Sequence, residues 1–126
     1  IANILAAMVK IEEGVFRWGG EEFIILMPHT SLIMAGSIGE MLRREIENHV
    51  IIFENIPIRV TMSFGITQFS DGGSVDQIIA SADGNLLTAK TTGRNRVVCG
   101  KMKPMKDLSE HPGKLRGPDS YRKRER

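Results

Sequence analysis

The 126 residues contain a single cysteine, Cys99. An intrachain disulfide is therefore excluded, and too few thiols are present for a cysteine-built zinc site. That usage fits a reducing cytoplasm. Long hydrophobic runs are also lacking: stretches such as Ile24 to Met27 and Val50 to Phe53 fall far short of the ~18 residues that cross a bilayer. The first residue is Ile rather than Met. No basic start followed by an apolar stretch and a cleavage-like site is found, so the chain is expected to be a piece of something longer or to have a misdefined start. Internal repeats are absent as well.

What is present is an ordinary globular composition, 41% apolar and 25% charged, which suits one domain and a tail. The formal net charge of +2 hides an asymmetry. Residues 1 to 100 contain 8 Lys/Arg against 11 Asp/Glu, a net −3, whereas residues 101 to 126 contain 9 against 4, a net +5. Beyond Gly100 the apolar periodicity ends, and Pro104, Pro112, Gly113, Gly117 and Pro118 punctuate a basic, polar stretch. Such a composition buries too little apolar surface to offset ordering entropy, so 101–126 is expected to be a disordered tail on a domain spanning 1–100.

Within 1–100, Ile4, Leu5, Met8 and Val9 fall at helical spacing, indicating the end of an amphipathic helix that Gly14 can stop. Val15 to Arg17 and Glu22 to Met27 are strand candidates separated by Trp18-Gly19-Gly20-Glu21, a hairpin pattern, since glycine takes positive φ without steric penalty. Thr30 or Ser31 can cap a helix to about His49, with Leu32, Ala35, Ile38, Leu42 and Ile46 as its buried stripe. Gly36 and Gly39 cost that helix on the order of 1 kcal/mol each relative to Ala, so it is expected to depend on packing. Ile56 to Phe69 reads as the longest strand region, one strand or two, with Gly65 marking a bulge or a close backbone approach. Ser74 caps a second helix ended by Gly93, and Arg96 to Cys99 forms a last strand. This order predicts an α+β fold with helices on one face of an antiparallel sheet.

Two groups of residues can carry chemistry. Gly19-Gly20-Glu21-Glu22 places two carboxylates at a hairpin tip whose backbone is open to a phosphate. Mg²⁺ commonly takes one or two carboxylates together with substrate phosphates. A plain solvated turn would have the same composition. The second group is Asp83, Lys90, Gly93, Arg94, Asn95 and Arg96, in which Lys90 and Arg94 flank a helix terminus and could neutralise a polyphosphate. Lys and Arg there could equally do no more than complement the helix dipole. His29, His49 and His111 have no second ligand at metal spacing and read as solvated or capping side chains.

Taken together, Arg17-Trp18-Gly19-Gly20-Glu21-Glu22-Phe23, Met27-Pro28 with Thr30, Val60-Thr61-Met62-Ser63-Phe64-Gly65-Ile66, Ala82-Asp83, Ala89-Lys90 and Gly93-Arg94-Asn95-Arg96 resemble the GGDEF diguanylate cyclase domain, in its GGEEF form. The resemblance implies a fold akin to nucleotidyl cyclases and polymerase palms. It also implies condensation of two GTP into cyclic di-GMP in bacterial signalling, with Mg²⁺ or Mn²⁺. Each active site would lie between two facing domains of a homodimer, and a sensory domain would be expected in the parent protein. By position, Glu21 would be a metal ligand and the base for the attacking ribose hydroxyl, with Glu22 supporting the metal. Gly19 and Gly20 would admit phosphate, and Lys90 and Arg94 would hold the terminal phosphates.

The chain also departs from the family pattern. The first strand and helix, which carry another metal-binding Asp and the guanine-reading Asn and Asp, would lie before Ile1. This chain alone is therefore expected to be inactive or nearly so. Lys10-Ile11-Glu12-Glu13 stands where the family often has an Arg-x-x-Asp product-inhibition site. Lys10 and Glu13 then make a degenerate inhibitory site that binds product weakly, because Lys lacks the planar fork of Arg. Gly84, Asn85 and Leu87 replace residues that favour that helix more strongly. The alternative function is a truncated or degenerate module that binds nucleotide or protein without catalysis. A nucleic-acid partner, suggested only by the basic tail, is not expected.

Overall fold

The computed structural model describes residues 14–70 and 73–102. The expected N-terminal helix end with Lys10 and Glu13, the turn residues Asp71 and Gly72, and the tail from residue 103 onward lie outside the described residues. The elements are β1 (Val15–Arg17), β2 (Phe23–Ile25), α1 (Leu32–Asn48), β3 (Ile51–Phe53), β4 (Ile56–Ile58), β5 (Phe64–Gln68), α2 (Val75–Thr91) and β6 (Val97–Lys101).

Both helices start at serines. The Ser31 Oγ accepts the Met34 N–H at 3.2 Å, settling the choice between Thr30 and Ser31. At α2 the Ser74 Oγ accepts the Gln77 N–H at 3.2 Å while the Gln77 Oε1 accepts the Ser74 N–H at 2.9 Å, a reciprocal capping box. Val15 to Arg17 pair antiparallel with Ile25 to Phe23, as the hairpin pattern requires.

The core forms where α1 meets the strands. Leu42 and Ile46 are fully buried, and Val15, Phe23, Ile25, Ile38, Val60, Met62 and Phe64 pack on them. Burying one such aliphatic side chain contributes about 1.5–3 kcal/mol. Of the expected stripe, Ala35, Leu42 and Ile46 are buried, while Leu32 and Ile38 are half-buried. Gly39 is buried too, because a Cβ there would meet the Ile66 Cδ1 at 2.8 Å. The propensity cost of that glycine is thus tied to close packing of α1 on β5.

One sequence expectation is sharpened and one is corrected. Ile56 to Phe69 holds two strands rather than one: β4 pairs antiparallel with β3, residues 59–63 are irregular, and β5 pairs in parallel with β6, Phe64 opposite Val97. Pro57 and the Glu54-Asn55 turn confine β4 to a local hairpin, and the five residues that follow carry the chain back to the core. The helices also do not share one face. Alternation along β5 turns Phe64 and Ile66 toward α1 and Gly65 and Thr67 toward α2. A Cβ on Gly65 would overlap the α2 backbone at Leu86 N and Ala82 O, and Thr67 Oγ1 hydrogen-bonds Ser81 Oγ at 2.8 Å. The β5–β6 pair is therefore a layer between α1 and α2. Close approach at Gly65, one of the two readings of that residue, is the one observed.

Among the described residues the strands form three two-stranded sheets. The β1–β2 and β5–β6 sheets both lean on Leu42 and Ile46, yet their strands exchange no hydrogen bonds and lie more than 8 Å apart, Cα to Cα. That exceeds the ~4.8 Å separation of neighbouring strands.

Candidate active site

The β1–β2 tip is shaped by its own backbone. Trp18 N–H donates to the Glu22 carbonyl at 2.9 Å, Gly19 N–H donates to the same oxygen at 3.4 Å, and Arg17 Nη2 donates to the Gly20 carbonyl at 2.8 Å. These bonds close a loop from 18 to 22 whose outer side is open: a Cβ on Gly19 would meet nothing within 4 Å. Glu21 is exposed at the tip, whereas the Glu22 side chain is only 20% exposed.

Glu22 is covered by the end of α2. The Lys90 Nζ donates to the Glu22 Oε1 at 3.3 Å, an ion pair between residues 68 apart in sequence. The two groups of residues that composition alone left separate thus meet in space. Arg94 follows in a turn where Gly93 (φ 127°), Arg94 (φ 61°) and Asn95 (φ 46°) all have positive φ, and the Arg94 N–H donates to the Ala89 carbonyl at 2.9 Å. The Arg94 side chain is exposed. Acidic tip, half-buried lysine and exposed arginine together form a surface able to receive an anion beside a cation.

Residues 1–96 match the family described as "Diguanylate cyclase, GGDEF domain". The chain belongs to that family. It is 38% identical over 101 residues to diguanylate cyclase VdcA of Vibrio cholerae, covering 78% of this chain and 30% of that protein. It is 33% identical over 102 residues to diguanylate cyclase A of Treponema denticola, covering 80% of this chain and 28% of that protein. The chain thus spans under a third of the length of these relatives. Among solved structures, it is similar to the GGDEF domain of DgcB from Caulobacter crescentus in complex with c-di-GMP, at 25% identity and TM-score 0.69 over 78% of this chain and 61% of that one. Diguanylate cyclase SiaD from Pseudomonas aeruginosa, solved with its activator SiaC, is 35% identical at TM-score 0.69 over 77% of this chain and 38% of that one.

Within this GGDEF domain the expected residues Gly19, Gly20, Glu21, Glu22, Lys90 and Arg94 are all described, and the ion pair joins the first group to the second. Lys10 and Glu13 lie outside the described residues. A group of three or more His, Cys, Asp or Glu side chains able to enclose a metal is absent among the described residues. Glu21 and Glu22 offer only hard carboxylate oxygens. That donor set fits Mg²⁺, which fills its remaining positions with phosphate and water.

Arg43, Glu47 and Ser63, whose part was not anticipated, hold the cationic turn at Asn95. Arg43 on α1 donates to Glu40 from Nε (2.9 Å) and Nη2 (2.7 Å), and from Nη1 to both Glu47 Oε2 (2.9 Å) and Asn95 Oδ1 (2.9 Å). Asn95 Nδ2 donates to Glu47 Oε1 at 2.8 Å, and Asn95 N–H donates to Ser63 Oγ at 3.1 Å. The Arg43 hydrogen bonds bring the Glu40 carboxyl down to about 2. The Asn95 amide, followed by Arg43, lowers Glu47 as well. The Glu40-Arg43-Glu47 spacing was visible as helix-surface pairs; the reach to Asn95, across 52 residues, was not.

Asn85 is also explained. Its Nδ2 donates to the Ile66 carbonyl at 2.8 Å and the Gly100 carbonyl at 3.4 Å, so a poor helix former holds α2 to the β5–β6 layer. Among the described residues no helix is long and apolar enough to cross a membrane.

Proposed function

We propose that this domain contributes one half of a GTP-condensing active site, producing cyclic di-GMP when two such domains face each other. The observation that carries the reading is the Glu22–Lys90 pair, which makes one site of the acidic tip and the cationic turn. In this reading Glu21, exposed at the tip, accepts the proton of the attacking ribose 3′-hydroxyl. Lys90 and Arg94 bind the β- and γ-phosphates and balance the charge of the leaving pyrophosphate. Gly19 and Gly20 leave the tip without side chains, so phosphate oxygens can approach the backbone.

Glu21 and Glu22 would hold Mg²⁺, which when bound supplies positive charge against the α-phosphate. The Lys90–Glu22 pair then has a second use: it keeps a half-buried carboxylate neutralised until a metal and a polyphosphate share that charge between them. The β1–β2 and β5–β6 strands exchange no hydrogen bonds, and we propose that a further strand runs between them and completes the metal site from that side.

The test is GTP turnover with Mg²⁺, followed by chromatography of the product. Cyclic di-GMP is expected from the domain together with its native flanking sequence, and little or none from residues 1–126 alone. Absence of product from the flanked protein, or robust product after Glu21→Gln, would overturn the reading and favour a nucleotide-binding module without catalysis.

A further inference from the structure

Gly93, Arg94 and Asn95 form a run of three positive-φ residues, two of which carry side chains. L-residues adopt that region reluctantly, and a non-glycine residue stays there only where its surroundings over-determine it. The surroundings here do so from three directions. Asn95 accepts from Arg43 Nη1 (2.9 Å), donates to Glu47 Oε1 (2.8 Å) and gives its backbone N–H to Ser63 Oγ (3.1 Å). Arg43 is itself gripped in bidentate fashion by Glu40, which leaves its Nη1 fixed in direction. The Arg43 side chain is only 14% exposed, while the Glu40 and Glu47 side chains that hold it are 39% and 41% exposed, so the guanidinium lies sheltered on the flank of α1 beneath carboxylates that face solvent.

Such a clamp is more than a helix terminus needs. The C-cap of α2 is already closed by Thr92 N–H to Thr88 O (3.0 Å) and Arg94 N–H to Ala89 O (2.9 Å). What the added bonds constrain is the backbone on either side of Arg94, the cation with no hydrogen bond to its side chain among the described residues. We infer that Asn95 is a positioning residue: through Arg43 and Glu47 it holds the Gly93–Asn95 turn in its left-handed form, so that Arg94 is preset for a phosphate. The inference rests on the proposal above that Arg94 receives a polyphosphate. A preset cation loses less freedom on binding, and the gain appears as affinity rather than as fold stability.

The experiment is calorimetric titration of inorganic triphosphate into the chain at low salt, with the thermal midpoint recorded for each variant. Asn95→Gly removes the side chain while tolerating positive φ. It is expected to weaken triphosphate binding by about tenfold with only a small change in midpoint. Asn95→Asp sets a carboxylate against Glu47 and is expected to weaken binding at least as much. Adding Glu47→Gln to Asn95→Asp exchanges donor and acceptor across the same pair, restores the net charge, and is expected to recover affinity to within about twofold. Unaltered affinity in Asn95→Gly, or no recovery in a folded double variant, would overturn the positioning role while Arg94→Ala still lost affinity. If the unaltered chain binds no triphosphate, or Arg94→Ala binds it as well as the unaltered chain, the site reading itself fails and the positioning role falls with it.

Discussion

The two antiparallel hairpins, β1–β2 and β3–β4, each pair three residues with three. In β3–β4 the link is Glu54-Asn55 with φ of 48° and 64°, positive at both central positions as a type I′ turn requires. That hairpin closes by local chemistry. Its Ile52, Phe53 and Ile56 are 71%, 61% and 59% exposed, and it comes near no other element among the described residues. In β1–β2 the link runs through Trp18, two glycines and two glutamates, and no two-residue turn joins the strands. Instead Val15, Phe23 and Ile25 pack on Leu42 and Ile46, and Lys90 reaches from the end of α2 to Glu22. The hairpin that stands on its own turn carries no candidate chemistry. The one tied down by distant residues holds an open tip with the carboxylates. A functional loop needs a backbone that is not optimised for closure, and tertiary contacts must then supply the stability that the turn does not.

The largest expected effect separates the hairpins by chemistry. In the domain with its native flanks, Glu21→Gln should cut cyclic di-GMP formation at least about 100-fold, the scale of a lost general base. Glu54→Gln in the other turn should leave turnover within about twofold, since rate effects of that kind require a group at the reacting centre. Product chromatography reads both. Next, Leu42→Ala should destabilise by about 3 kcal/mol, the usual cost of emptying a buried leucine site. Amide exchange should speed up in β1–β2 more than in β3–β4, and equal loosening of the two would break the contrast. On a smaller scale, Asn55→Ala, at positive φ, should cost about 1 kcal/mol and loosen β3–β4 alone. Lys90→Ala should cost only about 0.5 kcal/mol in denaturant melts, because its pair with Glu22 is partly solvated, yet it should weaken triphosphate binding about tenfold.

The mildest expected effect comes with pH. The hydrogen bond from Arg43 holds Glu40 at about 2 against an ordinary 4.5, and Asn95 and Arg43 lower Glu47 from the same value. Both pKa values are lower in the folded chain. Their stabilisation is therefore complete above about pH 4.5 and is lost as pH falls toward 2. The thermal midpoint should drop over that window. Exchange at Asn95 should rise there before exchange at Ile52 does, because β3–β4 has no part in this network. A flat acid limb would show that these carboxylates contribute nothing to the fold.

Element type was legible in the sequence where the cause was local. Ser31 and Ser74 cap helices, apolar residues at steps of three and four mark the buried side of α1, and Gly93 follows the end of α2. Where Ile56 to Phe69 divides into an outlying strand and an inner one was not legible, because both pieces are β-branched or aromatic and differ only in what they pair with. The same holds for the parallel β5–β6 pairing and for the two faces it offers to α1 and α2. At the candidate site, Gly19 to Glu22, Lys90 and Arg94 stood out by residue type and by likeness to a family. Asn95 stood beside them in the sequence with no role assigned.

Sequence by itself determined the β1–β2 hairpin, the two capped helices, the family and the inventory of charged groups, since each depends on residues within a few positions of one another or on a motif; the β3–β4 hairpin was not read from it. Only the tertiary structure decided which of these groups meet. Glu22 pairs with Lys90 across 68 positions, and Asn95 locks to Arg43 and Glu47 across 52 and 48. The physical reason is that a long-range contact is set by how α1 and α2 pack on the β5–β6 layer, at Gly39 on one face and Gly65 on the other, and packing of whole elements leaves no signature in the spacing of the residues it brings together.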